Sequence, residues 1–191
     1  MKCLLAVATL CLAAWPAARA DATLFSSPLS PEVAGATGTG SVNVEYDHDA
    51  HTLFIETSFS GLSGTTTVAH IHCCVAVPGT GTAGVAVTPG TLPGFPAGVS
   101  AGTYNTLLDL TSDAVYTGAF FGTSGGTAAL AEAALIAGLD NGSAYFNVHT
   151  TAFPGGEIRG FLAPVPEPAT YALMALGLLT LGALSPRNRN R

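Results

Sequence analysis

Val42-Asn43-Val44-Glu45-Tyr46, then Asp47-His48-Asp49-Ala50, then Leu53-Phe54-Ile55-Glu56-Thr57-Ser58-Phe59 follow one another along the chain, and their reading decides the fold. Val42, Val44 and Tyr46 alternate with Asn43 and Glu45, while Leu53, Ile55, Thr57 and Phe59 alternate with Phe54, Glu56 and Ser58. Successive side chains of an extended strand leave opposite faces, so a period of two means one buried face and one wet face. The Asp-rich segment between them turns the chain, and the whole predicts a β-hairpin.

Outward from this hairpin, short alternating stretches at about 23–28, 65–73, 102–111, 115–121, 143–150 and 156–162 read as further strands. Eight strands separated by turn residues predict an all-β sandwich or barrel made of two packed sheets. Residues 127–139 form the single short helix expected, with Thr127 as its N-cap and Asp140-Asn141-Gly142 turning into the next strand. Asn141-Gly142-Ser143 has the form of a glycosylation acceptor but reads as that turn. Residues 77–102 are dense in Gly and Pro, carry no charge and are too long for a simple turn. Loops of that length are functional or mobile.

The two ends read as addresses. Residues 1–20 open with Lys2, continue through an apolar run to Trp15 and end on Ala18-Arg19-Ala20, the pattern of a secretory signal cleaved after Ala20. Near the other end, Val165-Pro166-Glu167-Pro168 precedes an apolar run from Ala169 to Leu184 and a basic tail, 185–191, bearing Arg187, Arg189 and Arg191. The prolines lack amide donors and keep the motif extended ahead of the helix. Sixteen helical residues span about 24 Å, short of the ~30 Å hydrocarbon core, so this helix, 169–184, is expected to halt the chain in the membrane and not to anchor it for life. The arginines hold the extreme C-terminus in the cytoplasm and leave residues 21–165 outside.

Between the ends, eleven acidic residues face one basic residue, Arg159, for a net charge of −10 over residues 21–165. Such a surface repels nucleic acid and anionic lipid and suits cations. No nucleophile elbow, phosphate loop or paired catalytic carboxylates appear in the sequence, which favours a non-enzyme. With Cys3 and Cys11 in the leader, only the adjacent Cys73 and Cys74 remain, either as a vicinal disulfide or as thiols held by burial or a metal.

His70 and His72 stand two apart, so both imidazoles leave one face of a strand, and Cys74 continues the row. Imidazole suits copper or zinc. Glu157 and Arg159 likewise share a face and are expected to form a structural pair. His48 and His51 lie in the Asp-rich turn and read as solvated, and Asp47 with Asp49 supplies too few ligands for Ca²⁺.

Two resemblances organise these observations. The Pro-Glu-Pro motif, apolar helix and basic tail of 164–191 resemble the PEP-CTERM sorting signal of Gram-negative bacteria that make extracellular polysaccharide. That resemblance implies the secretion machinery and a membrane enzyme, exosortase, as partners, with Pro166, Glu167 and Pro168 as the motif it reads.

Ala69-His70-Ile71-His72, the helix ending in Gly138, Asn147-Val148-His149-Thr150 and Pro154-Gly155-Gly156-Glu157-Ile158-Arg159-Gly160 together resemble the CHRD domain, over 21–163. The family places Gly after the His-x-His segment, where this chain has Cys73-Cys74. The resemblance implies an immunoglobulin-like β-sandwich similar to copper/zinc superoxide dismutase and an extracellular setting, but no reaction. By the same likeness His149 is the candidate to join His70 and His72 around one copper or zinc ion, with Cys74 as a further ligand. Between Cys73 and Leu108 there is no His, Asp or Glu, so a binuclear site is not expected. The other reading makes these histidines, Asn147 and Glu157 a hydrogen-bonded cluster that fixes the sandwich. The expected function is a structural or binding module of the cell surface or extracellular matrix, meeting exopolysaccharide or surface proteins; the alternative is a mononuclear metal-binding or redox protein.

Overall fold

A computed structural model describes residues 22–166. The expected signal cleavage site at Ala18 and Ala20, the residues Glu167 and Pro168, the apolar helix 169–184 and the basic tail fall outside the described residues. Among the described residues, no helix is long and apolar enough to cross a membrane.

The hairpin forms as its alternation predicts. Strands β2 (Thr39–Asp47) and β3 (Thr52–Ser60) pair antiparallel with Val44 opposite Ile55 and Val42 opposite Thr57, all four buried. The Asp47 carboxylate accepts from the amides of Asp49 and Ala50, which closes the turn. Asp47 therefore serves the backbone.

The remaining strands are β1 (Ala22–Pro31), β4 (Thr66–His72), β5 (Val85–Val87), β6 (Gly102–Asp109), β7 (Tyr145–Thr150), β8 (Ile158–Phe161) and the short β9 (Ala163–Pro164). They run in the order β5-β4-β7-β8-β1-β2-β3-β6, with β9 added beside β1. The fold is all-β, but the two expected sheets are continuous. Strand β1 pairs with β2 over residues 22–29 and crosses at Ser30–Pro31 to pair with β8. The sheet thus wraps as a half-barrel around one core that includes Phe25, Ile55, Ile71, Phe146 and Ile158.

Helix α2 (Ala128–Asp140) is the expected one, and the Thr127 side chain accepts from the Leu130 amide as its cap. Asn141 turns the chain by accepting from the Ser143 amide. The expected strand at 115–121 is corrected: Asp113–Val115 is a 3-10 turn and α1 (Gly118–Thr123) is a short helix capped by Thr117. Val115, Tyr116 and Phe120 are the residues buried there. Their spacing of one and four is helical, and the β-branched and aromatic content of the segment misled the strand reading. It is tied to β5 by an isolated bridge between Val87 and Tyr116 and by hydrogen bonds from the Thr117 amide and hydroxyl to the Ala86 and Val85 carbonyls, and it does not form a strand.

The 77–102 loop also proved more ordered than its composition suggests. It contributes β5 to the edge of the sheet and folds over the outer face of β4 and β7. That is why β7 is buried on both faces apart from half-buried His149.

Candidate metal centre

Register places the site. Across β4 and β7, Ala69 faces Val148 and Ile71 faces Phe146, and these four turn into the core. The alternate residues, His70 opposite Asn147 and His72 opposite Tyr145, therefore stand on the outer face under the long loop. His149, two residues beyond Asn147, shares that face. His70 and His72 are 7% and 8% exposed.

Each imidazole is held by one backbone carbonyl. His70 Nε2 lies 2.9 Å from the Gly90 oxygen, His72 Nδ1 2.8 Å from the Ala83 oxygen and His149 Nδ1 2.8 Å from the Pro154 oxygen. A carbonyl only accepts, so these three nitrogens carry the hydrogens and the tautomers follow. The opposite nitrogens, His70 Nδ1, His72 Nε2 and His149 Nε2, are left with lone pairs. One ring nitrogen from each of the three histidines lies within 4.8 Å of the others. His70 Nδ1 and His149 Nε2 are 3.3 Å apart with no hydrogen of their own to share. Carbonyl partners that fix the far nitrogen are the usual outer support of a metal-binding histidine.

Electrostatics favour the neutral form of the two buried rings, His70 and His72. Burial lowers the pKa of both His70 and His72, and the neighbouring His149 adds to the lowering. The hydrogen bonds to Gly90 and Ala83 oppose this without reversing it. Neutral imidazole is the form that binds a cation.

Around them, the Tyr145 ring stacks on His72 with centroids 4.7 Å apart and planes within 4°, and Arg159 lies over the other parts of the aromatic group, 5.2 Å from the Tyr145 centroid and 5.3 Å from that of Phe161. Tyr145 also accepts from the Ala83 amide, so it steadies the loop whose carbonyl orients His72.

Three site expectations are corrected. Cys74 does not join the histidines: it is bonded to Cys73, and its sulfur lies 3.8 Å from the Ala134 carbonyl of α2. The chain has left the β4 register after His72, so the row of alternating side chains ends there. Glu157 and Arg159 are not each other's partners. The Glu157 carboxylate is fully buried and accepts from the amides of Ser63 and Gly64 and from the Thr150 hydroxyl, whereas Arg159 donates to Glu32 and to the Gly81 carbonyl. Glu157 precedes β8 and pins the β3–β4 connection, apart from the histidines. His51 is not simply solvated, because its Nδ1 lies 2.9 Å from the carboxylate of buried Glu132, which also accepts from Tyr46.

Sequence reasoning did not find Glu32 or the Ala83, Gly90 and Pro154 carbonyls. Loop backbone leaves no side-chain signature, and Glu32 lies far from the site in sequence. Tyr145 was legible in principle, being one strand period from Asn147.

The structure is thus an all-β half-barrel with three histidines gathered on its loop-covered face. The chain belongs to the CHRD domain family: that family's model matches residues 22–162. The PEP-CTERM protein-sorting motif matches residues 164–188, which marks an exported protein of Gram-negative bacteria, processed by exosortase and carried through the membrane to the cell surface. No curated protein and no solved structure matches the chain.

Proposed function

We propose that this protein is a cell-surface binding module that holds one copper or zinc ion through His70, His72 and His149. One observation carries the reading: His70 Nδ1 and His149 Nε2 face each other at 3.3 Å while their other nitrogens donate to the Gly90 and Pro154 carbonyls. Two lone pairs at that distance repel unless a positive centre lies between them. A tetrahedral ion with metal–nitrogen bonds of about 2.0–2.1 Å has ligand–ligand edges of about 3.3 Å. Imidazole donors select copper or zinc over calcium or magnesium. The acidic exterior favours the approach of a cation.

Elemental analysis of the secreted protein, purified without a metal-binding tag, tests the reading. Close to one equivalent of copper or zinc is expected in the wild type, and less than a tenth of that in His72→Ala. A wild-type protein that stays empty after incubation with both ions, then desalting, would leave the histidines as a hydrogen-bonded cluster that fixes the sheet.

A further inference from the structure

His72 is flanked by a second acceptor besides the Ala83 carbonyl. The side-chain oxygen of Asn147 lies 3.1 Å from His72 Nε2, and Asn147 is 1% exposed. Since Nδ1 carries the hydrogen given to Ala83, Nε2 and the amide oxygen are two acceptors face to face. The distance again matches a ligand–ligand edge of a tetrahedral ion, about 3.3 Å. Register sets Asn147 directly across from His70 and one strand period from His149, so its side chain shares the face of all three imidazoles.

An acid lies near the nitrogen end of the amide. Gly156 has φ +127°, and a Cβ built there would meet the Glu32 carboxylate and lie 3.0 Å from Asn147 Nδ2. Glu32 and the amide nitrogen therefore share the space that a side chain at residue 156 would fill. A carboxylate only accepts, so the NH₂ end belongs on the Glu32 side and the oxygen on the His72 side. The side chain of Glu32 is 10% exposed; one oxygen takes a hydrogen bond from Arg159 at 3.3 Å, and the other is buried without a partner. The unpartnered buried oxygen is thus an acceptor in the same space as the amide nitrogen.

Resting on the three-histidine reading, we infer that Asn147 supplies the fourth ligand through its side-chain oxygen, and that Glu32 positions the amide for it. The centre is then a closed N₃O site with no position left for an outside molecule, suited to holding an ion and not to turning over a substrate. Three imidazoles and an amide bring no charge to the ion, and Glu32 is a carboxylate whose charge acts on His72.

Cobalt(II) is the probe, because four-coordinate cobalt absorbs visible light strongly and five- or six-coordinate cobalt weakly. The secreted wild-type protein loaded with cobalt is expected to give the intense four-coordinate spectrum and to ignore added azide. Asn147→Ala is expected to bind cobalt through the histidines and to change its spectrum with azide, which enters the vacated position. Asn147→Asp, which keeps an oxygen ligand, is expected to ignore azide. Glu32→Gln should keep the four-coordinate spectrum but lose 10–100-fold in cobalt affinity. A wild-type spectrum that shifts with azide overturns the fourth-ligand assignment and leaves an open three-histidine site, whether or not Asn147→Ala folds. Wild-type affinity in Glu32→Gln removes Glu32 from the assignment. If the wild type binds no cobalt, or His149→Ala binds as much as the wild type, the three-histidine reading falls as well.

Discussion

His70 Nδ1 faces His149 Nε2 across 3.3 Å, and both nitrogens are stripped of hydrogen by carbonyls on their far sides. The two rings come from strands β4 and β7, which pair over only five residue positions with an irregularity between Thr66 and Ala69. That shift sets how far His149 is brought alongside His70. Replacing His149 with Ala removes one of the three proposed ligands while leaving the buried pair in place. Bound copper or zinc in the secreted protein is expected to weaken at least 100-fold, read by competition with a chromophoric chelator. Unchanged affinity would mean that the ion, if any, sits elsewhere.

The same rings make stability depend on acid. Burial places the folded-state pKa of His70 and His72 below the ordinary 6.5. Between that lowered value and 6.5 the unfolded chain binds more protons than the folded one, so stability rises with pH through the window. The metal-free protein is expected to have its full histidine contribution above pH 6.5 and to lose it as pH falls below. Bound metal competes with the same protons, so it should be retained at pH 6.5 and released only in more acid solution. Melting temperatures of metal-free protein at pH 7.5 and 5.5 check the direction; equal values, or a higher one in acid with Glu157 accounted for, contradict it.

Glu157 supports the sheet independently of the site. Burial alone raises the pKa of its carboxyl, but the donors from Ser63, Thr150 and Gly64 outweigh burial and hold it below the usual carboxylate range. Glu157→Ala strands those donors and is expected to cost about 3 kcal/mol, or roughly 10 °C in Tm for a domain of this size. Metal content per folded molecule should be unchanged. A loss of metal without a loss of Tm would place Glu157 back among the histidines.

Gly138 on α2 packs directly on the vicinal disulfide, and a Cβ there would meet the sulfur atoms of both Cys73 and Cys74 well inside contact distance. Gly138→Ala is expected to destabilise the protein by about 2 kcal/mol through overpacking. Adding Cys73→Ala and Cys74→Ala should restore at least half of that loss relative to the cysteine variant alone, measured as a coupling between the two changes in urea unfolding. Strict additivity would show that the glycine answers to something other than the sulfurs.

The tail makes a separate prediction. In a host with exosortase, the mature surface form is expected to end near residue 168, as seen by mass spectrometry of the intact protein. Glu167→Ala should make precursor accumulate in the inner membrane. Mature protein that still carries Arg191 would overturn the sorting reading.

Alternation of apolar and polar side chains over 42–59 was enough to determine the hairpin, its buried face and the all-β class, because a period of two has only one way to hide Val42, Val44, Leu53 and Ile55 together. His70 and His72 on one face were legible for the same reason, and the Pro-Glu-Pro motif needs no folded context to be read. Local pattern failed at 115–121, where Thr117 caps a helix whose first turn is chosen by contact with β5. It failed again for Arg159, whose partner Glu32 lies 127 residues away in sequence. What only the tertiary structure decided was which lone pairs converge: strand register sets His149 and Asn147 beside His70, and three loop carbonyls choose the tautomers. Those carbonyls belong to Ala83, Gly90 and Pro154, residues whose side chains play no part, so the geometry of the centre is written in backbone position and not in residue type.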